Sequence, residues 1–160
     1  MKLFHYTSIY HLQRILEYGS LCKGDIPITR KGTYGSEGHA VWLTTRDKAS
    51  PNEHGLISPV CDKTEIRITI EVDLDDPRLF KWSDYAKRRG VERGFYRQLD
   101  VMGGGLSNTW WLYIGEIPIM GNLISQKVNG RYQDIIQATP PLRSNVQNCM
   151  QAKIGTIKSI

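Results

Sequence analysis

Between Thr64 and Val72 the chain alternates without a fault. Ile66, Ile68, Ile70 and Val72 are apolar, while Glu65, Arg67, Thr69 and Glu71 between them are polar. A period of two places the isoleucines on one face of a strand and the polar set on the other. Such a strand is stable only in a sheet that lies on a core, which excludes a helical bundle, and it predicts a solvent-facing Arg67. Fifteen glycines and seven prolines agree with a loop-rich, β-containing fold. At 160 residues the chain has the size of one domain with its own core.

Further elements follow from local chemistry. Leu3–Thr7 reads as a short strand. Thr7 or Ser8 can cap a helix whose apolar face is Ile9, Leu12, Ile15 and Leu16, and Gly19 sits where a left-handed residue ends it. Leu21–Cys22 opens another extended piece. Gly24 to Gly38 is rich in glycine and reads as a loop. Residues 40–45 form an apolar, β-branched strand, and Asp47 to Asp62 is a second loop. After Asp75-Asp76-Pro77, Ser83 is the expected N-cap of a helical region reaching about Val101, interrupted near Gly90 or Gly94. Strands are expected at 109–114, 122–128 and 131–137, the last two joined by Asn129-Gly130, a strong hairpin signal. Past Pro140-Pro141 the pattern is lost. The expected organisation is one domain over 1–138 and a loosely attached extension over 139–160.

Several function classes are excluded. No apolar run is long enough for a transmembrane helix, and the start, with His5 and Tyr6, lacks the apolar stretch of a signal peptide. Cys22, Cys61 and Cys149 form no C-x-x-C pair, so neither a zinc ribbon nor a disulfide framework is indicated, and a reduced, cytoplasmic protein is expected. His5, His11, His39 and His54 lack metal-ligand spacing, so no metal is expected. His11 reads as a surface residue of the first helix. There is no G-x-S-x-G elbow, Walker loop or Rossmann glycine motif. The formal charge is +5, gathered partly in Lys87, Arg88, Arg89, Arg93 and Arg97. That stretch is either a solvated helix face or a surface facing phosphates.

The segment LFHYTSIYHLQRILEYGSL followed by AVWLTT resembles the opening of ADP-ribosyltransferase-like domains, in particular small bacterial and phage proteins that begin HYTS and carry a VWLT strand. The resemblance covers about residues 3 to 45. It extends more distantly to tRNA 2′-phosphotransferases and to DNA-modifying ADP-ribosyltransferase toxins. It implies an α+β fold whose β-sheet core is split and grips NAD without a glycine loop, with flanking helices. By position His5 would bond the nicotinamide-side ribose, and Tyr6 and Thr7 would shape the same wall. Trp42, where the phosphotransferase strand has a histidine, would stack on a flat ring, with Thr44 beside it. Phosphotransferase members use basic residues in place of a catalytic glutamate, and on that pattern Arg30, Arg46 and Arg67 would hold phosphates, Arg30 being also a candidate for the NAD site.

Cleaving the N-glycosidic bond of NAD develops positive charge on the ribose, which a carboxylate stabilises. Such transferases usually carry a glutamate on a late strand, which makes Glu116 the first candidate and Glu71 the second. The chain departs from the familiar patterns: it has no R-x-x-H before the first strand, no Ser-Thr-Ser and no Glu-x-Glu or Gln-x-Glu. The resemblance therefore implies an enzyme that moves ADP-ribose from NAD to a protein or nucleic acid, with no membrane partner and with Lys87 to Arg97 as the acceptor surface. Two alternatives stand beside it. One is a module that binds a nucleotide or a host protein without turnover. The other is an NAD-dependent RNA 2′-phosphotransferase. Structural roles remain open as well: His5 as a satisfied strand histidine, Trp42 as core and Glu116 as a turn residue.

Overall fold

A computed structural model describes residues 1–21, 24–30, 33–49, 56–58 and 61–137; for 24–30, 33–39, 57, 58, 136 and 137 it gives the backbone course alone. The extension over 139–160, Cys22, Cys149 and His54 lie outside the described residues. The fold is mixed α+β, with three helices against an antiparallel sheet.

Strand β1 (Lys2–Thr7) leads into α1 (Ile9–Tyr18). Ser8 caps that helix with extended backbone and accepts the His11 N–H, and Gly19 ends it at φ 70, so both sequence signals act where expected. Short β2 (Ser20–Leu21) follows. The predicted loop 24–38 is instead a hairpin of β3 (Gly24–Arg30) and β4 (Thr33–Thr44), so β4 begins well before the expected strand. Its glycines favour a loop locally, but cross-strand pairing overrides that preference. Within the second predicted loop, β5 (Ile57–Ser58) pairs with β6 (Cys61–Asp62).

The alternating segment is β7 (Ile66–Glu71), preceded by a 3₁₀ turn at Lys63–Glu65. Then come β8 (Leu79–Lys81), α2 (Trp82–Arg88) and α3 (Arg93–Met102). Gly90, at φ 64, turns the chain between the two helices, as the predicted interruption requires. Ser83 is not the cap of α2. The N-cap position is Lys81, without a capping side chain, because the fully buried Trp82 sets where the helix begins. The chain ends its described course with β9 (Trp110–Tyr113), β10 (Ile117–Pro118), β11 (Leu123–Val128) and β12 (Arg131–Gln137). Asn129 (φ 51) and Gly130 (φ 78) form the expected turn between the last two.

The main sheet runs β12-β11-β7-β1-β4-β9-β8, with β3 added beside β4 and β10 paired with β2 apart from it. Register assigns the faces. Leu3, His5 and Thr7 stand opposite Ile70, Ile68 and Ile66, so this face carries the isoleucines. It packs on Leu12 and Ile15 of α1 and on Leu21, Ile117 and Ile119. Each such buried Ile or Leu contributes about 1.5–3 kcal/mol. The other face of β4, β9 and β8 is covered by α2 and α3 through Trp82, Tyr85 and Ala86, with Trp42, Tyr96, Leu99 and Trp110 packed against them. No described helix is long and apolar enough to cross a membrane.

Candidate functional site at the parting of the sheet

Strand β1 is paired with β7 along its whole length, from Lys2↔Glu71 to Thr7↔Ile66. Its pairing with β4 has a single register position, Phe4↔Thr44. Past that point the two strands part, and from Ala40 back β4 takes β3 as partner. The sheet thus consists of a four-strand part, β12-β11-β7-β1, and a three-strand part, β4-β9-β8, joined at Phe4 and Thr44.

His5 is the first residue of β1 beyond that join. Its Nδ1 lies 2.9 Å from the Trp42 carbonyl oxygen and so spans the parting. A carbonyl only accepts, so Nδ1 carries the hydrogen and Nε2 keeps a lone pair. Burial pushes the imidazole below the ordinary histidine value; the carbonyl bond opposes this, and the positive Lys63 and the nearby His11 add to it. The shift favours the neutral ring, in which Nε2 can accept a hydrogen bond.

The far end of β1 gathers residues from three elements. Ser8 Oγ lies 2.8 Å from His11 Nδ1, a hydrogen bond between hydroxyl and imidazole, and also accepts the His11 backbone N–H at 3.3 Å. Cys61 Sγ is 3.8 Å from the same nitrogen. Glu65 Oε2 accepts the N–H of Ile9 at 3.1 Å, at the positive end of α1. His11 is half-buried in this group, not the surface residue expected, because Ser8 and Cys61 hold its ring. The Ser8–His11 contact was accessible from their i, i+3 spacing. No local pattern announces Cys61, Lys63 or Glu65, which arrive through tertiary pairing.

The other predicted wall residues lie elsewhere. Thr7 is buried on the His5 side. Tyr6 is buried on the opposite face, where its hydroxyl donates to the Arg46 carbonyl at 2.9 Å. Thr44 is buried too; its Oγ1 is 3.1 Å from Thr109 Oγ1 and accepts the Arg46 N–H. Trp42 packs against Trp82 and Trp110, with ring centroids 5.1 and 5.9 Å away. His5 and Trp42 therefore meet through the Trp42 backbone, while the indole belongs to the aromatic cluster under α2 and α3.

The two candidate carboxylates differ in position. Glu71 is exposed at the opposite end of β1 from the parting, 3.7 Å from Lys2 Nζ. Glu116 is exposed on the turn from β9 to β10, next to Ile117, which is anchored in the α1-side core. Arg30 ends β3, and its side chain lies outside the described residues. Arg67 is half-buried, not solvent-facing: Tyr132 and Phe4 flank its guanidinium at 4.6 and 5.3 Å. Aromatic neighbours on the polar face explain this departure from simple alternation. Lys87, Arg88, Arg89, Arg93 and Arg97 are all exposed. Among the described residues no group of three or more His, Cys, Asp or Glu is arranged to hold a metal ion.

Comparison with protein-family models, curated proteins and solved structures gave no match to this chain.

Proposed function

We propose that the chain is an ADP-ribosyltransferase-like enzyme that takes NAD at the parting between β1 and β4 and transfers ADP-ribose to a macromolecule, protein or nucleic acid. One observation carries this reading. The sheet divides immediately after Phe4↔Thr44, and the histidine of the HYTS segment bridges the division through its bond to the Trp42 carbonyl. A split sheet with a first-strand histidine at the split is the arrangement that the sequence resemblance implies.

On this reading His5 Nε2 accepts a ribose hydroxyl, and its fixed Nδ1–H bond to Trp42 holds the ring in orientation. The acceptor's nucleophile forms a bond to the ribose C1′. The C1′–N bond breaks, and nicotinamide leaves with its electron pair. The acceptor loses its proton, and a carboxylate stabilises the positive charge that develops on the ribose. Glu116 is the first candidate for that role.

The test is thermal unfolding with and without NAD, together with release of nicotinamide from labelled NAD. The expected result is a raised melting temperature and nicotinamide release, both lost in His5→Ala. No shift with NAD counts against the site itself. A shift without turnover supports a second reading, a module that binds a nucleotide without catalysis. The position of Glu71, ion-paired to Lys2 away from the parting, favours that second reading over one in which Glu71 is catalytic.

A further inference from the structure

We infer that the corner between α2 and α3 is a binding surface for the phosphate backbone of a nucleic acid. Residues 87–97 hold five cations, Lys87, Arg88, Arg89, Arg93 and Arg97, against the single acid Glu92, a net +4 within a chain whose total is +5. A second surplus lies in residues 139–160, where Arg143, Lys153 and Lys158 meet no acid, and the rest of the chain carries a net −2. All five cations are exposed, and among the described residues none makes an ion pair.

The fold accounts for only part of this charge. Lys87 and Arg88 sit in the last turn of α2, where a cation complements the helix dipole, and Arg89 lies over the Tyr85 ring at 5.5 Å. Arg93 is the first residue of α3, where the dipole disfavours a cation. Arg97 stands one turn further on, about 6 Å along the axis. The left-handed Gly90 brings these two helix ends into one corner.

The composition of the corner selects the partner class. Most of its aromatic and apolar residues, Trp82, Tyr85, Ala86, Tyr96 and Leu99, pack against the core, and Phe95 alone is half-buried outside that cluster, too small an apolar centre for the kind a protein interface uses. Val101 and Met102 are exposed at the far end of α3, too little apolar area for a helix that lies in a membrane surface. What is left is a group of exposed cations without ion pairs among the described residues, four-fifths guanidinium, whose planar forks match phosphate oxygens. A role as the docking surface for an acceptor rests on the transferase reading above; the affinity for nucleic acid does not.

The experiment is fluorescence anisotropy of the full chain with labelled single-stranded RNA, single-stranded DNA and duplex DNA across a salt series, without NAD. If all five cations engage phosphates, log affinity against log salt has a slope of about −4.5 on duplex and about −3.5 on single strands, which is roughly 500-fold on duplex between about 50 and 200 mM salt. Arg93→Glu/Arg97→Glu should flatten the slope by about 2 and weaken binding to every sequence alike. Arg93→Lys/Arg97→Lys should keep most of the slope. Near-UV circular dichroism verifies the fold of each variant. The strand type that binds best names the source of the backbone. Three results overturn the inference: no binding at low salt, binding that the double Glu variant leaves intact, or capture by phosphatidylserine vesicles with no binding to nucleic acid. NAD-induced stabilisation in the double Glu variant separates this outcome from the fate of the transferase reading.

Discussion

His5 Nδ1 lies 2.9 Å from the carbonyl oxygen of Trp42, and that bond joins the two parts of the sheet where their backbones no longer pair. The same imidazole has its proton affinity lowered by burial. A histidine whose native pKa lies below its unfolded value of 6.5 binds protons more readily when the chain unfolds. Its contribution is complete above that value and is lost as the pH falls from it toward the native pKa. Urea unfolding across pH 5 to 8, roughly the range in which histidine titrates, should therefore show stability declining on the acid side. His5→Gln should flatten that part of the profile, and an unchanged profile in the variant would assign the effect to another group.

Local signals were readable where a single turn or strand face decides the outcome. Ser8, Gly19, the Asn129-Gly130 turn and the alternation of Ile66 to Ile70 all stand as the sequence implies. The resemblance implies a split sheet, but the place of the parting is not readable from local pattern, because it depends on how β1 pairs with a strand some forty residues away. The β3–β4 hairpin departs from the local signal for a related reason: its glycines are loop-formers in isolation. The helix start at Trp82 was displaced from Ser83 by burial of an indole, a tertiary effect stronger than a cap. His5 and Trp42 were both singled out from the sequence, but their contact runs through the backbone of one and not its ring.

Two glycines should respond to alanine for opposite reasons. At Gly103 the backbone is ordinary, φ −86, but a Cβ there would overlap the Trp110 ring. At Gly19 nothing lies within 4 Å, but φ is +70. Gly103→Ala should cost about 1–3 kcal/mol through overpacking, and Gly19→Ala about 1–2 kcal/mol through the left-handed backbone. Adding Trp110→Leu separates the causes. In double-mutant cycles read from urea midpoints it should couple to Gly103→Ala and add independently to Gly19→Ala.

Arg67 donates from Nη1 to the Asp47 carbonyl at 2.8 Å and from Nη2 to Ser125 Oγ at 3.3 Å, between the rings of Phe4 and Tyr132. A planar, forked cation meets all four partners at once, which an ammonium cannot do. Arg67→Lys keeps the charge and should still lose about 1–2 kcal/mol, since each flanking ring contributes about 0.5–1 kcal/mol at a partly exposed site. A lower urea midpoint with an unchanged slope is the expected observation. A variant as stable as the parent would show that the charge alone suffices.

The two candidate glutamates can be ranked by the face of the sheet on which they stand. His5 shares its face with Ile68 and so points to the α1 side. Glu71 alternates with the buried Ile70 and lies on the other face, in an exposed ion pair at 3.7 Å whose side chains are 68% and 77% accessible. Such a pair contributes at most about 1 kcal/mol. Glu71→Gln should therefore leave both the unfolding midpoint and nicotinamide release nearly unchanged. Glu116 adjoins Ile117, which is packed into the α1-side core, so its turn is tethered to the face that His5 occupies. Glu116→Gln should slow nicotinamide release by about 10²–10³-fold, the effect of removing one preorganised electrostatic group. It should leave the thermal shift with NAD intact, because a group that acts only on developing charge adds little to ground-state binding. Full activity in Glu116→Gln with loss in Glu71→Gln would move the role to Glu71. NAD binding with no nicotinamide release in the parent chain would leave the binding module in its place.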